Sequence, residues 1–274
     1  MQTIIDLFEN SVEKFADNPF MWEKQNGKYM PTTYRETLKQ VEVIANGLLS
    51  LGVQPNDHIA LLSEGRNKWI VSELGILYTG AINIPLSVKL EANEVLFRVN
   101  HSESRFLIVS EQQTEKIEKI KQDLSHVEKI IFLDKTNINT KDAISFDELI
   151  KAGKQFKTEH GDDLNQRKKA IKGNQWANIT YTSGTTSDPK GIILTHRNYT
   201  ANVDQAYSLM DIPETYKTLL ILPLDHCFAH VAGIYSFMGK GASLAMVETG
   251  KAPLQTLKNV PINIREIKPD LLLS

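Results

Sequence analysis

The fold is decided by residues 177–194, ANITYTSGTTSDPKGIIL, in which a loop rich in hydroxyl residues and glycine separates two apolar runs. Within the loop, glycines let the backbone approach an anion closely, and hydroxyl and N–H groups can donate to phosphate oxygens. Lys190 adds a positive charge. Residues 182–191 therefore predict a phosphate-binding loop that follows an apolar strand.

Two other interpretations of this loop are a plain surface loop and a Walker A loop. The ordered run into Pro189, Lys190 and Gly191 argues against a plain Ser/Thr/Gly surface loop. A Walker A loop needs glycine before the lysine, Ser or Thr after it, and a helix beyond. Here proline precedes the lysine, glycine follows it, and residues 192–194 predict a strand. The sequence therefore excludes the kinase-like and GTPase-like classes.

Apolar runs and amphipathic runs alternate on both sides of the loop. The predicted strands are residues 58–62, 81–84 (ended by Pro85), 105–109, 129–133, 177–182, 192–194, 218–222 and 244–247. The predicted helices are residues 68–79, 92–100, 111–124, 197–210, 228–238 and 254–267. This alternation implies an α/β fold with doubly wound, mostly parallel sheets and helices on both faces.

The N-terminal residues carry strong local signals. Thr3 with Asp6 predicts the start of an amphipathic helix, and Thr33 with its partner Glu36 predicts a second helix that ends at Gly52. Between them, Asn26-Gly27 suits a tight turn and predicts a β-hairpin over residues 20–30.

Residues 134–173 are more polar and less periodic than their flanks. They predict a connecting segment with one or two short helices. We therefore expect a front α/β lobe over residues 1–174 and a phosphate-loop lobe over residues 175–274. Residues 271–273 predict a buried parallel strand, and because such a strand normally leads into a helix, the second lobe is expected to be truncated.

Composition and charge exclude several classes of protein. The 31 basic and 33 acidic residues leave a net charge of -2, which gives no overall attraction to nucleic acid or anionic lipid. Cys227 is the only cysteine, so neither an intrachain disulfide nor a cysteine-based zinc module can form. The N-terminus lacks the pattern of a secretory signal, and no apolar run reaches the ~18 residues of a membrane span. These features predict a soluble cytoplasmic protein and leave peripheral membrane contact open.

The loop and its surroundings resemble the adenylate-forming enzymes: acyl-CoA and aryl-CoA synthetases, luciferase, and the adenylation domains of non-ribosomal peptide synthetases. The resemblance is carried by residues 181–186 (YTSGTT), 189–191 (PKG) and 194–196 (LTH). It extends over nearly the whole chain, through residues 80–86 (GAINIPL) and 100–104 (NHSES). It implies that the chain is a partial N-terminal domain of the adenylate-forming fold.

By this resemblance the loop binds the phosphates of ATP. The implied phosphate-binding residues are Thr182, Ser183, Gly184, Thr185, Thr186 and Lys190. One departure is Ser187, where the family usually has glycine. If that position needs a positive φ angle, the serine costs about 1 kcal/mol of backbone strain. Ser187→Gly should then leave the affinity for ATP equal or better.

A second segment, residues 222–226 (LPLDH), resembles the family segment that places a histidine or aromatic residue beside the substrate carboxylate. The resemblance implies this role for His226, and the pattern is closest to bacterial long-chain fatty acid synthetases. Taken alone, His226 is more typical of a capping or partly buried histidine. Its place after a predicted strand end, where open α/β sheets bind ligands, favours a function.

His226 and His230 are four residues apart with Cys227 between them, which suggests a metal site. Zinc would need a third ligand and usually a nearby acid, and two histidines at this spacing do not by themselves establish such a set. We therefore assign no metal-ligating residues.

The resemblance implies an acid–thiol ligase. A carboxylic acid, most closely a long-chain fatty acid, attacks the α-phosphorus of ATP to give an acyl adenylate and pyrophosphate, and coenzyme A then takes the acyl group as a thioester. ATP, Mg²⁺ and coenzyme A are the implied cofactors and cosubstrates.

The family's adenine and Mg²⁺ segment, its ribose-binding aspartate, its hinge and its catalytic lysine have no counterpart up to Ser274. No catalytic residue is therefore assigned, and the isolated chain is expected not to complete the reaction. Two alternatives stay open: an aryl or amino acid activating enzyme of the same family, and a non-catalytic module that binds phosphate or an acyl chain.

Overall fold

The structure is a computed structural model that describes residues 2–134, 142–182, 189–250 and 253–273. Strands and helices alternate along most of the chain. The strands are β1 (Pro19–Gln25), β2 (Lys28–Thr33), β3 (His58–Leu62), β4 (Ile82–Leu86), β5 (Phe106–Val109), β6 (Lys129–Phe132), β7 (Ala143–Ser145), β8 (Trp176–Thr182), β9 (Lys190–Thr195), β10 (Lys217–Leu220), β11 (Ser243–Met246) and β12 (Leu271–Leu273). The α-helices are α1 (Ile4–Phe15), α2 (Tyr34–Ser50), α3 (Asn67–Tyr78), α4 (Ala92–His101), α5 (Thr114–Ile120), α6 (Phe146–His160), α7 (Asp163–Ala170), α8 (His196–Leu209), α9 (Ser236–Met238) and α10 (Pro253–Ile267).

Within the described ranges, seven strands form the large sheet, in the order β7-β6-β5-β3-β4-β8-β9. Neighbouring strands are parallel except that β9 returns antiparallel to β8. The order runs outward from β3 in both directions, as in a doubly wound α/β fold. Because β3, β4, β5 and β8 run the same way, their carboxyl ends meet at one edge of the sheet, called the carboxyl edge below.

The other five described strands form the small sheet, in the order β12-β10-β11-β1-β2. β1 lies parallel to β11, and the chain then turns back into β2. The turn is the predicted hairpin at Asn26 and Gly27, with φ angles of 50° and 78°. Strands from both ends of the chain therefore share the small sheet, while β8 and β9 belong to the large one. Neither sheet keeps to the expected boundary at residue 174, and the division into two lobes stays a prediction.

Alternate residues of the large sheet face two different cores. Ile59 and Leu61 of β3 pack with α2, α3 and the small sheet, whereas Ala60 and Leu62 pack with α4 and α5 on the opposite face. A period of two residues is what a strand buried on both faces requires. The structure confirms the predicted α/β class, with mostly parallel sheets and helices on both faces of the large sheet.

The predicted starts of α1 and α2 are confirmed. Thr3 accepts a hydrogen bond from the Asp6 backbone N–H, and Thr33 accepts one from the Glu36 backbone N–H. In both helices the acidic side chain also accepts a bond from the backbone of the cap residue, which completes a capping box. Gly52, just past α2, has a φ angle of 84° and ends the helix as expected.

The connecting segment contains more secondary structure than its polar composition predicts. Residues 142–173 form β7, which extends the large sheet, and then the 15-residue helix α6 and the 8-residue helix α7. Ser145 and Glu148 form a capping box at the start of α6. α6 packs on α2 at Gly153, where a Cβ would collide with the α2 backbone at Val43 and Gly47. Two helices are present as predicted, but α6 is longer than expected, and its packing partner α2 is distant in sequence.

Three element boundaries also differ from expectation. Pro85 lies inside β4 rather than at its end. β4 pairs with β8 at Asn83 and Asn178, and Pro85 follows that pair, so its missing N–H is not needed there. The helix expected over residues 111–124 is α5 with a 3-10 turn at each end. β12 is a half-exposed edge strand rather than a buried one, because β10 covers one of its sides.

Residues 228–238, expected to be α-helical, contain a π-helical segment, Ala229–Tyr235, followed by α9. The wider turn is evident at Ser236, whose N–H and hydroxyl both donate to the carbonyl oxygen of Val231, five residues earlier. Single π-helical turns are rare and often lie at functional sites.

Candidate functional site

The predicted phosphate loop joins the two strands of the β8–β9 hairpin at the carboxyl edge of the large sheet. Thr182, the last residue of β8, is the register partner of Lys190, the first residue of β9, and both are exposed. The other four candidates, Ser183, Gly184, Thr185 and Thr186, lie outside the described residues. Ser187 lies outside them as well. The structure therefore brings Thr182 and Lys190 together at the loop end of the hairpin, and the roles of all six candidates stay predictions.

The segment after Lys190 is a strand, β9, as the sequence predicts. Gly191 within it lies close to β8, since a Cβ built on this glycine would be 2.9 Å from the Ile179 side chain. Close pairing of the hairpin therefore favours glycine at this position, apart from any role in binding an anion. Because a Walker A loop leads into a helix, the strand agrees with the exclusion of that class.

Tyr181, next to Thr182 near the loop end of the hairpin, contacts two residues of α4. Its hydroxyl lies 2.8 Å from His101 Nδ1, and the guanidinium carbon of Arg98 lies 5.8 Å from its ring centre. Burial raises the pKa of the Tyr181 hydroxyl, so it stays protonated and can donate to the imidazole. No local sequence pattern indicates this contact, because Tyr181 and His101 are 80 residues apart.

His226 lies in the irregular segment between β10 and the π-helical segment. The side chain is exposed, and its Nδ1 accepts a hydrogen bond from the Phe228 backbone N–H at 3.2 Å. This bond is of the capping kind, and it leaves the proton of the neutral ring on Nε2, which has no hydrogen-bond partner among the described residues. An exposed imidazole with a free Nε2–H can donate to a carboxylate, so the geometry permits the role predicted for His226.

The segment that carries His226 reaches the same edge of the large sheet as the phosphate loop. Leu224 is buried, and a Cβ built on Gly65, which follows the end of β3, would lie 3.6 Å from the Leu224 side chain. Since β3 and β8 run in the same direction, Gly65 and Thr182 both mark the carboxyl edge. Open α/β sheets bind their ligands outside this edge.

A cavity of about 340 Å³ opens along the same edge between the two sheets. Its charged lining includes Glu64, Arg66, Glu111, Asp134 and Glu248. Arg66 donates to both oxygens of Asp134, at 2.6 and 2.9 Å. Burial acts to raise the pKa of this carboxyl, but the guanidinium holds the pKa below its ordinary value. No local sequence pattern indicates the cavity, because segments far apart in the chain form its walls.

The metal hypothesis gains no support from the described residues. No group of three His, Cys, Asp or Glu side chains among them could hold a metal ion. His226 is exposed, whereas His230 is buried with its Nε2 2.7 Å from the Leu224 carbonyl oxygen.

A family model described as "AMP-binding enzyme" matches residues 8–272. This chain belongs to the AMP-binding enzyme family. The hairpin, the irregular segment with His226 and both sheets all fall within the matched residues, so the AMP-binding family accounts for nearly the whole chain.

The relatives of this AMP-binding chain are acid–thiol ligases. A chloroplastic long-chain-fatty-acid–[acyl-carrier-protein] ligase of Arabidopsis thaliana is 27% identical over 86% of the chain and 34% of its own length. A long-chain-fatty-acid–CoA ligase of Xenopus laevis is 25% identical over 97% of the chain and 36% of its own length. The chain therefore spans about a third of the length of these relatives.

The fold of the AMP-binding chain matches solved structures at low sequence identity. The crystal structure of the anthranilate CoA ligase AuaEII in complex with anthranoyl-AMP covers 98% of this chain with a TM-score of 0.80 at 21% identity. The match takes in 49% of that ligase. A crystal structure of the N-terminal domain of FACL13 from Mycobacterium tuberculosis covers 99% of this chain, over 62% of that domain, with a TM-score of 0.74 at 20% identity. The expected fold, a part of the N-terminal domain of adenylate-forming enzymes, is thus confirmed.

Proposed function

We propose that the protein in its complete form is an ATP-dependent acid–thiol ligase that activates a carboxylic acid, with a long-chain fatty acid as the first candidate. The observation that carries this proposal is the pairing of Thr182 with Lys190 across the predicted phosphate loop, at the sheet edge that the His226 segment also reaches. The family match over residues 8–272 supports it.

The proposed reaction gives each candidate residue a distinct task. The substrate carboxylate attacks the α-phosphorus of ATP, which forms the acyl adenylate and releases pyrophosphate, and the thiol of coenzyme A then displaces AMP to form the thioester. Lys190, Thr182 and the other loop residues would balance the charge of the departing β- and γ-phosphates. The Nε2–H of His226 would orient the carboxylate. Mg²⁺ would neutralise phosphate charge when bound, and no residue of this chain is assigned to it.

The choice of substrate rests on the relatives. Two ligases named for long-chain fatty acids are 25–27% identical to the chain, whereas the solved neighbour holds an aryl adenylate at 21% identity. Such identities support the ligase class more strongly than any single acid. The fatty acid is therefore the finer part of the proposal.

The test is ATP–pyrophosphate exchange by the complete gene product with a panel of fatty, aryl and amino acids. Exchange that depends on a fatty acid and is followed by thioester formation with coenzyme A is the expected result. Exchange with aryl or amino acids alone would overturn the fatty acid, and nucleotide or acyl binding without any exchange would favour the non-catalytic module. His226→Ala should raise the KM for the acid, whereas the exposed His126, replaced by alanine as a matched control, should leave it unchanged.

We also propose that the protein is cytoplasmic. Peripheral contact with a membrane is compatible with this proposal. None of the helices in the described ranges is long and apolar enough to cross a membrane. One relative is named as chloroplastic, so cell fractionation is the measurement that decides the compartment.

A further inference from the structure

A buried carboxyl and imidazole pair lies beneath the segment that carries His226. Glu73 of α3 and His230 of the π-helical segment are 1% and 0% exposed. Glu73 Oε1 lies 3.3 Å from His230 Nδ1. A buried ionisable pair is often less stabilising than an apolar pair of similar size. The contacts of Glu73 and His230 with neighbouring residues are therefore the evidence for a role other than stability.

His230 is bonded to the His226 segment itself. Its Nε2 lies 2.7 Å from the carbonyl oxygen of Leu224, two residues before His226. A carbonyl oxygen can only accept, so Nε2 must carry a proton. Nδ1 then faces Glu73 Oε1 at 3.3 Å, on the opposite side of the ring from the Leu224 carbonyl oxygen. The contacts on both sides thus fix the orientation of the imidazole.

Glu73 is also connected to the strand that leads into the phosphate loop. Asn83 of β4 donates from Nδ2 to Glu73 Oε1 at 3.2 Å, and it is the register partner of Asn178 in β8. Burial raises the pKa of Glu73, while the nearby His230, Tyr235 and Asn83 side chains act in the opposite direction. The pair therefore lies between β8 and the segment with His226.

Three aromatic rings enclose the imidazole. The ring centres of Trp69, Tyr199 and Tyr235 lie 5.5, 5.7 and 5.9 Å from that of His230. They come from α3, α8 and the π-helical segment, and all three are buried. Because cores are packed to high density, the imidazole cannot leave the Leu224 carbonyl without displacing one of these rings.

The segment that His230 holds has few backbone restraints of its own. Residues 221–225 belong to neither a helix nor a strand, and Pro223 has no N–H to donate. The His226 N–H donates to the Pro223 carbonyl oxygen at 3.2 Å, which makes a local turn. The bond from His230 therefore ties the backbone of this turn to the buried core, beside the packing of the buried Leu224 side chain.

We propose that Glu73 and His230 form a positioning pair that fixes the Leu224 carbonyl and, through it, the backbone on which His226 is presented to the substrate carboxylate. The catalytic half of this inference rests on the proposed function. The structural half, the restraint on the segment, does not.

The experiment compares two substitutions that differ in one contact. His230→Gln can carry an amide N–H to the position of Nε2 and keep the bond to Leu224, whereas the shorter side chain of His230→Asn cannot. Amide hydrogen exchange of the His226 N–H is expected to be about tenfold faster in His230→Asn than in His230→Gln, as for the loss of one hydrogen bond. Glu73→Leu removes the partner of Nδ1 and is expected to accelerate exchange in the same way.

Kinetics of the complete protein supply the second readout. His230→Asn should lower kcat/KM for the acid about tenfold relative to His230→Gln, with an unchanged KM for ATP. Ser104→Ala is the control, since Ser104 is a buried residue whose hydroxyl bonds to Ser102 in the turn between α4 and β5. It should lower the melting temperature without changing either readout.

The outcomes separate the two proposals. If exchange differs as expected but the wild-type protein activates no acid, the proposed function fails and the restraint on the segment stands. If acid is activated and the two His230 variants agree in both readouts, the positioning role is overturned. If the His230 variants differ but Glu73→Leu behaves like the wild type, Glu73 does not help to position the segment, and the proposed positioning pair is wrong.

Discussion

Two basic side chains at the ends of β9 occupy opposite surroundings. Lys190 at its start is exposed and forms no ion pair with a described residue, whereas His196, directly after its end, is 1% exposed. His196 Nδ1 accepts from the Ile4 backbone N–H at 3.4 Å, which connects α8 to α1. The lysine is thus available to a ligand, and the histidine serves the core.

For Lys190, we expect the alanine variant of the complete protein to bind ATP roughly tenfold to a hundredfold more weakly, because one charge-assisted contact is lost. Isothermal titration with ATP measures the effect. Lys154→Ala, an exposed lysine of α6, is the matched control and should bind as the wild type does. Wild-type affinity in the Lys190 variant would remove this residue from the phosphate site.

For His196, the prediction concerns stability against pH. Burial lowers its pKa from 6.5 to about 4, and the nearby Asp6 opposes this only in part. Above pH 6.5 the ring is neutral in both the folded and the unfolded states. As the pH falls from 6.5 towards 4, the unfolded chain takes up a proton that the folded protein does not, so the free energy of unfolding decreases.

The loss between pH 7 and pH 5 should be roughly 1–2 kcal/mol from this group. His196→Asn retains an acceptor at the position of Nδ1 and does not titrate. Urea unfolding at the two pH values should therefore show a smaller loss in the variant. An equal loss in both proteins would assign the pH dependence to other groups.

At the scale of elements, the contact between α2 and α6 depends on glycine. A Cβ built on Gly153 would collide with the backbone of α2 at Val43 and Gly47. Backbone atoms cannot move aside as a flexible side chain can, so the two helices would have to separate. The close approach explains a glycine in the middle of a helix, where it is otherwise unfavourable by about 1 kcal/mol relative to alanine.

Gly153→Ala is therefore expected to destabilise the protein by about 2–3 kcal/mol despite its better helix propensity. Denaturant unfolding is the measurement. Lys151→Ala, an exposed position on the same helix, should change stability by less than about 0.5 kcal/mol. A stabilised Gly153→Ala variant would show that the helices can move apart at little cost.

At the scale of the whole molecule, the two ends of the chain complete each other's sheets. β1 pairs with β11, and β4 pairs with β8. The buried Tyr34 hydroxyl donates to the Ala242 carbonyl oxygen at 2.7 Å, which ties α2 to the strand region of the small sheet. One continuous core contains residues from both sheets. This arrangement predicts a single cooperative unit.

Separate expression of residues 1–174 and 175–274 tests this arrangement. Each piece leaves strands of both sheets without partners, so neither piece alone is expected to show native near-ultraviolet circular dichroism. Co-expression of the two pieces should restore the native signal. Near- and far-ultraviolet signals of the intact chain should unfold together. Independent folding of either piece would instead support two autonomous lobes.

The sequence by itself determined the features whose causes lie within a few residues. The capping boxes at Thr3 and Thr33, the turn at Asn26 and the strand after Lys190 follow from short-range hydrogen bonding and backbone preference, and all agree with the structure. The alternation of apolar runs gave the α/β class for the same reason, because side-chain period and local conformation are coupled.

Only the tertiary structure decided which strands pair and that α6 packs on α2. The same holds for the buried contacts that connect Glu73, His230 and Leu224 beneath His226. These features depend on contacts between residues far apart in the chain. Their free energy comes from burial and packing that exist only once the sheets have assembled, and no local pattern encodes it.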